Sequence, residues 1–212
     1  MNNDLKIKHR SILSSEEAWA KSVTFSVIKP RQISVWEFLI PIIFIMNWMK
    51  DTQRRDMFVQ NLLFTKKLAL EAAFDMVKNK KSRSESIELI RERTDSILKA
   101  EEVKGIYSET IRECQIKEIE LLIDHYLKLL HADGTDYDSL VLDTYGKIDD
   151  YSAFLDELNS AEQEVTRAAQ ETVGEKADKR MATEMKMASD RIRSARAERI
   201  FKSQSNNTML QR

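Results

Sequence analysis

Lys66, Cys114, His125 and His131 are the side chains of this sequence best suited to chemistry, and their neighbours decide how much each can do. His125 and His131 fall on one helical stretch but project about 120° apart, so they cannot grip a metal from adjacent turns. A di-iron carboxylate site needs Glu three residues before His, and here Leu122 and Lys128 hold those places. His131 reads instead as a cation at a helix C-terminus. The run DGTDYDSLVLD at 133–143 has the look of a calcium loop. An EF-hand needs oxygen ligands at alternate positions, a central Gly and a Glu at the twelfth. Counting from Asp133, position five is Tyr137 and position six is Asp138, so the pattern fails and a capped turn explains it.

Cys114 lies outside the apolar arc of its helix, beside Leu121 and His125. Exposure there would allow modification, but no charge cluster is at hand to lower its pKa, and an incidental thiol is the plainer reading. Lys66 stands at helical spacing between Leu62 and Leu70, inside an apolar arc. It could receive an acidic ligand group; a snorkelling stem or a structural ion pair explains it more simply. Walker, G-x-G-x-x-G, G-x-S-x-G and H-E-x-x-H motifs are absent. The residues therefore lean away from an enzyme, with no cofactor and no metal expected.

The elements that would carry these side chains are helices. Only 4 Gly and 2 Pro occur in 212 residues, and a third of the chain is charged. Such a composition specifies helix nearly throughout. A single Cys rules out an internal disulfide and fits a reducing compartment. Residues 1–13 read as loose, and Ser14-x-x-Glu17 as a capping box opening a short helix to about Val27. Apolar residues from Asp56 to Val77 cover most of a helical circumference, the mark of a buried helix. Lys78 to Arg83 forms a basic connector, too short and too poor in aromatics for a nucleic-acid site. Further helices follow over 84–104, 108–131, 138–145 and 149–173, with Gly105, Gly134, Gly146 and Gly174 placed as C-terminal caps of positive φ. A last helix from Glu175 to about Lys202 carries Met181, Met185, Ala188, Ile192 and Ala195 at 4-3-4-3 spacing. That is a short coiled-coil seam, suited to the acidic middle of the chain, a second copy or a partner.

One stretch differs from all this. Ile33 to Met49, ISVWEFLIPIIFIMNWM, is the one run that water should reject. As a helix its seventeen residues reach about 26 Å, against a hydrocarbon core of ~30 Å. Pro41 should kink or break it. Trp36 and Trp48 lie six residues either side of Ile42, as interface-seeking rings would in a hairpin. Lys29, Arg31, Lys50, Arg54 and Arg55 flank both ends, and a charge bias of that kind places both on the cytoplasmic side. Dipping in and returning is thus favoured over crossing. Against it stands the rule that irregular backbone within lipid must be covered by protein or water. A buried core helix and a subunit seam are the alternatives. A signal peptide does not fit, because the run begins late, follows Glu16 and Glu17 and lacks an A-x-A site.

The formal net charge of −1 conceals three blocks. Met1–Arg83 carries +7, Ser84–Gly174 carries −13 and Glu175–Arg212 carries +5. A basic segment about the apolar run suits an anionic leaflet, and the acidic middle could receive the basic tail.

The segments SVIKPR (26–31), VWEFLIPI (35–42), NLLFTKKLALEAAFDM (61–76), KGIYSE (104–109) and LLIDHY (121–126) resemble a bacterial family of helical, membrane-associated proteins. The resemblance spans roughly residues 20–200. It implies a bacterial all-helical protein with an apolar N-terminal element and gives no individual residue a role.

Taken together, the sequence predicts an all-α bundle or array with a Pro-kinked apolar helix near its N-terminus and a basic amphipathic helix at its C-terminus. Residues 1–32 form an N-terminal segment with a short helix and 33–50 a membrane-associating element. The helical body spans 51–174, and a coiled-coil-like helix with a frayed tail spans 175–212. Trp36, Phe38, Leu39, Ile42, Phe44, Ile45 and Trp48 would insert, and Lys29, Arg31, Lys50, Arg54 and Arg55 would hold anionic headgroups. Met181, Met185 and Ile192 would bind a protein partner or a second copy. The function expected is a non-enzymatic scaffold or adaptor at the cytoplasmic face of the inner membrane. A soluble oligomer using 33–49 as its seam, and a ligand-binding or enzymatic pocket around Lys66, remain as rivals.

Overall fold

Helix formers dominate every segment between the glycines, and the computed structural model, which describes residues 2–28, 51–100, 105–174 and 179–209, is all-helical there. In chain order the elements are α1 (Asn2–Val27), α2 (Asp51–Leu62), α3 (Phe64–Asn79), α4 (Arg83–Leu98), α5 (Glu109–His131), α6 (Tyr137–Tyr145), α7 (Ile148–Val173) and α8 (Lys179–Met209). The central helix is α5, which packs most extensively on α3 and α7 and also touches α1, α4 and α6. Its Ile119, Leu122, Ile123, Tyr126 and Leu129 are at most 1 % exposed and anchor the main core. A second, smaller core joins α1, α2 and α8 through Trp19, Val23, Val59, Leu63 and Ala188. A third lies at the far end of α7, around Tyr107, Ile111, Ala168 and Ala169.

The ends of the helices are set by local chemistry. Ser82 and Glu85 form a reciprocal capping box that opens α4, and Asp136 with Ser139 does the same for α6. All four glycines have positive φ, and Gly146 and Gly174 are the C-caps of α6 and α7. Gly134 has a second reason to be glycine. A Cβ there would stand 2.3 Å from Ser139 Oγ, the hydroxyl that caps α6. Lys80 closes α3 at φ 56°, a left-handed cap that no glycine marks in the sequence.

Several boundaries differ from those read in the sequence. Residues 2–13 are not loose: they form the first half of α1, where Ile12 is fully buried and Lys8 Nζ donates to Ala132 O at 2.8 Å. An ammonium at the last carbonyls of α5 is a tertiary cap, which local patterning does not reveal. Ser14 and Glu17 therefore lie inside α1 instead of opening it. The buried stretch 56–77 is two helices that meet at Leu63, whose ψ of −9° departs from helical geometry. The helix expected to run to residue 104 ends at Leu98. The last helix reaches Met209, and its Ile200 and Phe201 enter the main core.

Candidate functional site

A cleft of about 510 Å³ opens between α1, α2, α5, α7 and α8, a volume within the range of small-molecule sites. Trp19, Phe58, Met181 and Met185 supply apolar wall, while Asn61, Gln115, Glu118 and Glu162 supply polar groups. Behind Glu162 lies a buried set of charges drawn from four helices. Arg193 of α8 grips Glu162 of α7 with both guanidinium arms, at 2.7 and 2.6 Å. Lys66 of α3 donates to the same carboxylate at 3.4 Å and stands 4.0 Å from Glu16 of α1. Both cations also lie against the Trp19 indole, 4.6 Å (Lys66) and 4.7 Å (Arg193) from its centroid. Desolvating so many charges is costly, and only mutual pairing makes it tolerable.

The two carboxyls at the cleft titrate in opposite directions. Burial alone would raise Glu162, but the charges and hydrogen bonds of Arg193 and Lys66 outweigh it and hold the carboxyl well below the usual range. Glu118 has no cation in ion-pair contact among the described residues, and its one hydrogen bond comes from Thr65 Oγ1 at 2.7 Å. Burial pushes its carboxyl up to about 7, and the negative Glu162 adds to this against the pull of Lys66, Thr65 and Arg193. Three further polar atoms of cleft residues, Trp19 Nε1, Asn61 Nδ2 and Ser189 Oγ, are buried and make no hydrogen bond among the described residues. Native proteins leave few such groups unpaired.

The residues singled out in the sequence are not brought together. Lys66 is 2 % exposed and engaged in the ion cluster, and it does not line the cleft. His125 lies in an aromatic stack, its ring centroid 4.0 Å from Phe154 and its Nδ1 2.7 Å from Tyr145 Oη. Burial, with Lys66 and Lys128 adding to it, lowers its pKa to about 3, so the imidazole stays neutral. Cys114 is half-buried against the third core. His131 Nδ1 lies 2.7 Å from Leu127 O in the last turn of α5. No group of three or more His, Cys, Asp and Glu is arranged for a metal among the described residues.

Met181, Met185 and Ile192, expected to meet a partner, pack on the chain's own second core. Arg193 and Arg199 bring the basic tail onto the acidic Glu162 and Asp138, the pairing that the charge blocks suggested. The membrane-facing residues Trp36, Phe38, Leu39, Ile42, Phe44, Ile45 and Trp48 lie outside the described residues, as do Lys29, Arg31, Lys50 and the side chain of Arg54. Arg55 is described, and it is engaged: its guanidinium donates to Ile28 O at 3.2 Å and sits 5.1 Å above the Phe25 ring. No helix among the described residues is long and apolar enough to cross a membrane.

Glu16, Trp19, Glu118, Glu162 and Arg193 were not singled out by sequence reasoning, yet a signal was there. Ile111, Gln115, Glu118, Leu122, His125 and Leu129 follow one 4-3-4-3-4 stripe, as do Leu155, Leu158, Glu162, Val165 and Ala169 at 3-4-3-4. A charged residue at an apolar position of such a stripe is either a mistake or a buried group with a partner. No family model, no curated protein and no solved structure matches the chain.

Proposed function

We propose that this chain is a helical binding protein that takes a small ligand into the cleft between α1, α2, α5, α7 and α8. One observation carries the reading: among the described residues, the cleft is bordered by a buried carboxyl with no cation in ion-pair contact and by three buried polar atoms without hydrogen-bond partners. An ordinary core would have filled such a space with apolar side chains. Binding is favoured over catalysis because the reactive candidates stand apart. Lys66 is held in ion pairs, His125 is locked in an aromatic stack, and Cys114 packs elsewhere. The uncharged fluorescent probe N-phenyl-1-naphthylamine should bind saturably, one per chain. The cleft-filling Ala182→Trp should weaken it at least about tenfold, or 1.4 kcal/mol, with circular dichroism unchanged. Absence of saturable binding, or indifference to Ala182→Trp, would refute the cleft as a site.

A second reading concerns location, and the corner formed by α1 and α2 favours it. The contact of Arg55 with Ile28 O and the Phe25 ring fixes the end of α1 beside the start of α2. The two described ends, Ile28 and the first turns of α2, therefore lie close together. A single crossing would set its ends ~30 Å apart. An element that dips and returns needs no such separation, so Ile33–Met49 could hold the protein to the cytoplasmic face of the inner membrane as an anchor or scaffold. Vesicles containing anionic lipid should sediment the full chain, and Phe44→Glu with Ile45→Glu should release it. Wild-type protein remaining in the supernatant would end this reading. Any self-association through α8 would have to use its outer side, where Met187 is 65 % exposed.

A further inference from the structure

Charge bookkeeping around the cleft narrows what it can hold. Among the described residues, five charged ones line it: Glu118, Glu162, Glu164, Arg167 and Lys186. Four have opposite-charge partners within the chain, since Glu162 pairs with Arg193 and Lys66, Glu164 with Arg167, and Lys186 with Asp190. Glu118 is left over. It is 4 % exposed, and its hydrogen-bond partner Thr65 is neutral. The groups facing it from neighbouring helices are Thr65 and Lys66 of α3, Glu162 of α7 and Arg193 of α8, and both cations are already committed to Glu162. An ionised carboxylate in such a place is stable only beside a positive charge, and no described residue holds an uncommitted one in contact with it.

We propose that the cleft binds lipophilic monocations, organic cations with an apolar body, and that Glu118 is the counter-ion, giving up its proton to solvent as the cation enters. The inference rests on the cleft being a binding site and adds the ligand class and the proton exchange. The apolar body meets Phe58, Met181 and Met185, and methionine's flexible thioether adapts to varied shapes. The cationic centre meets Glu118. Charge balances in the exchange: one positive ligand enters, one proton leaves, and the buried cluster keeps its net charge. Because Glu118 titrates near neutrality, the exchange falls within the ordinary pH range.

Calorimetry with tetraphenylphosphonium and its uncharged relative triphenylphosphine oxide tests this on the full chain. At pH 8 the cation should bind at least about tenfold more tightly than the oxide. Its affinity should fall roughly tenfold between pH 8 and pH 6, as the ionised fraction of Glu118 shrinks. At pH 6, titrations in phosphate and in Bis-Tris, which buffer there with different ionisation heats, should differ in heat by the release of close to one proton. Glu118→Gln should bring the preference for the cation towards one and remove the pH dependence. Equal affinity for cation and oxide in the wild type, or an undiminished preference in Glu118→Gln, would overturn the proposal. N-phenyl-1-naphthylamine separates the two failures. If it binds in an Ala182-dependent way while the phosphonium shows no preference, the ligand class is wrong and the cleft stands. If neither binds, both readings fall.

Discussion

Glu162→Gln should lower the unfolding free energy by about 3 kcal/mol, measured as the shift in a urea titration at pH 7.5. Glu162 is the hub of the buried charges: both arms of Arg193 and the ammonium of Lys66 converge on its carboxylate. Neutralising it leaves two cations, 8 and 2 % exposed at their side chains, and the one other carboxylate within ion-pair distance of either among the described residues is Glu16, 4.0 Å from Lys66. Breaking a buried pair from one side costs ~3–5 kcal/mol because the survivor stays desolvated. The lower end applies here, since about a quarter of the Glu162 side chain is exposed. Replacing all three members, as Lys66→Met with Glu162→Met and Arg193→Met, should recover much of the loss, because apolar residues of similar volume need no partners. A loss below about 1 kcal/mol in the single variant would mean that the cluster is solvated and contributes little.

The second large effect is a reversal of pH dependence between two variants. Glu118 has a folded pKa raised to about 7 from the ordinary 4.5, so its contribution to stability is complete below 4.5 and is lost as the pH rises through 7. His125 is the opposite case. Its folded pKa is depressed from 6.5 to about 3, so its contribution is present above 6.5 and is lost as the pH falls towards 3. Each slope is about 1.4 kcal/mol per pH unit. Between 4.5 and 6.5 the two oppose each other, and these two groups leave the wild type nearly flat.

Glu118→Gln removes one side of that balance. Its stability should fall by roughly 2–3 kcal/mol from pH 6.5 to 4.5, and at pH 8 it should exceed the wild type. His125→Gln should do the reverse and gain stability on acidification over the same window. Glu162, held low by Arg193 and Lys66, enters only at more acid pH. Parallel pH profiles for the two variants would show that neither group titrates as its burial requires.

How much of this was legible beforehand depends on the range of the interaction involved. Helices and their glycine caps follow from contacts within a few residues, and Gly146 and Gly174 stand where sequence spacing put them. The capping box of Ser82 and Glu85 is equally local, and α4 begins at Arg83, one residue before the start read from the sequence at Ser84. Ser14-x-x-Glu17 has the same local form but lies mid-helix, because Leu5, Ile12 and Leu13 bury against the main core and extend α1 towards the N-terminus. A capping signal proposes a helix start; tertiary burial can override it.

What the sequence determined by itself is the helical class, the cap geometry, the charge blocks and the presence of one strongly apolar stretch, since all of these depend on composition and short-range spacing. Only the tertiary structure decided that Glu16, Lys66, Glu162 and Arg193, scattered over nearly 180 residues of chain, share one charged cluster, and that Glu118 stands beside a cleft with no ion-pair partner among the described residues. Helical periodicity says which face a residue is on but not which helix that face will meet. Electrostatic pairing and the pKa shifts that follow from it belong to the second question.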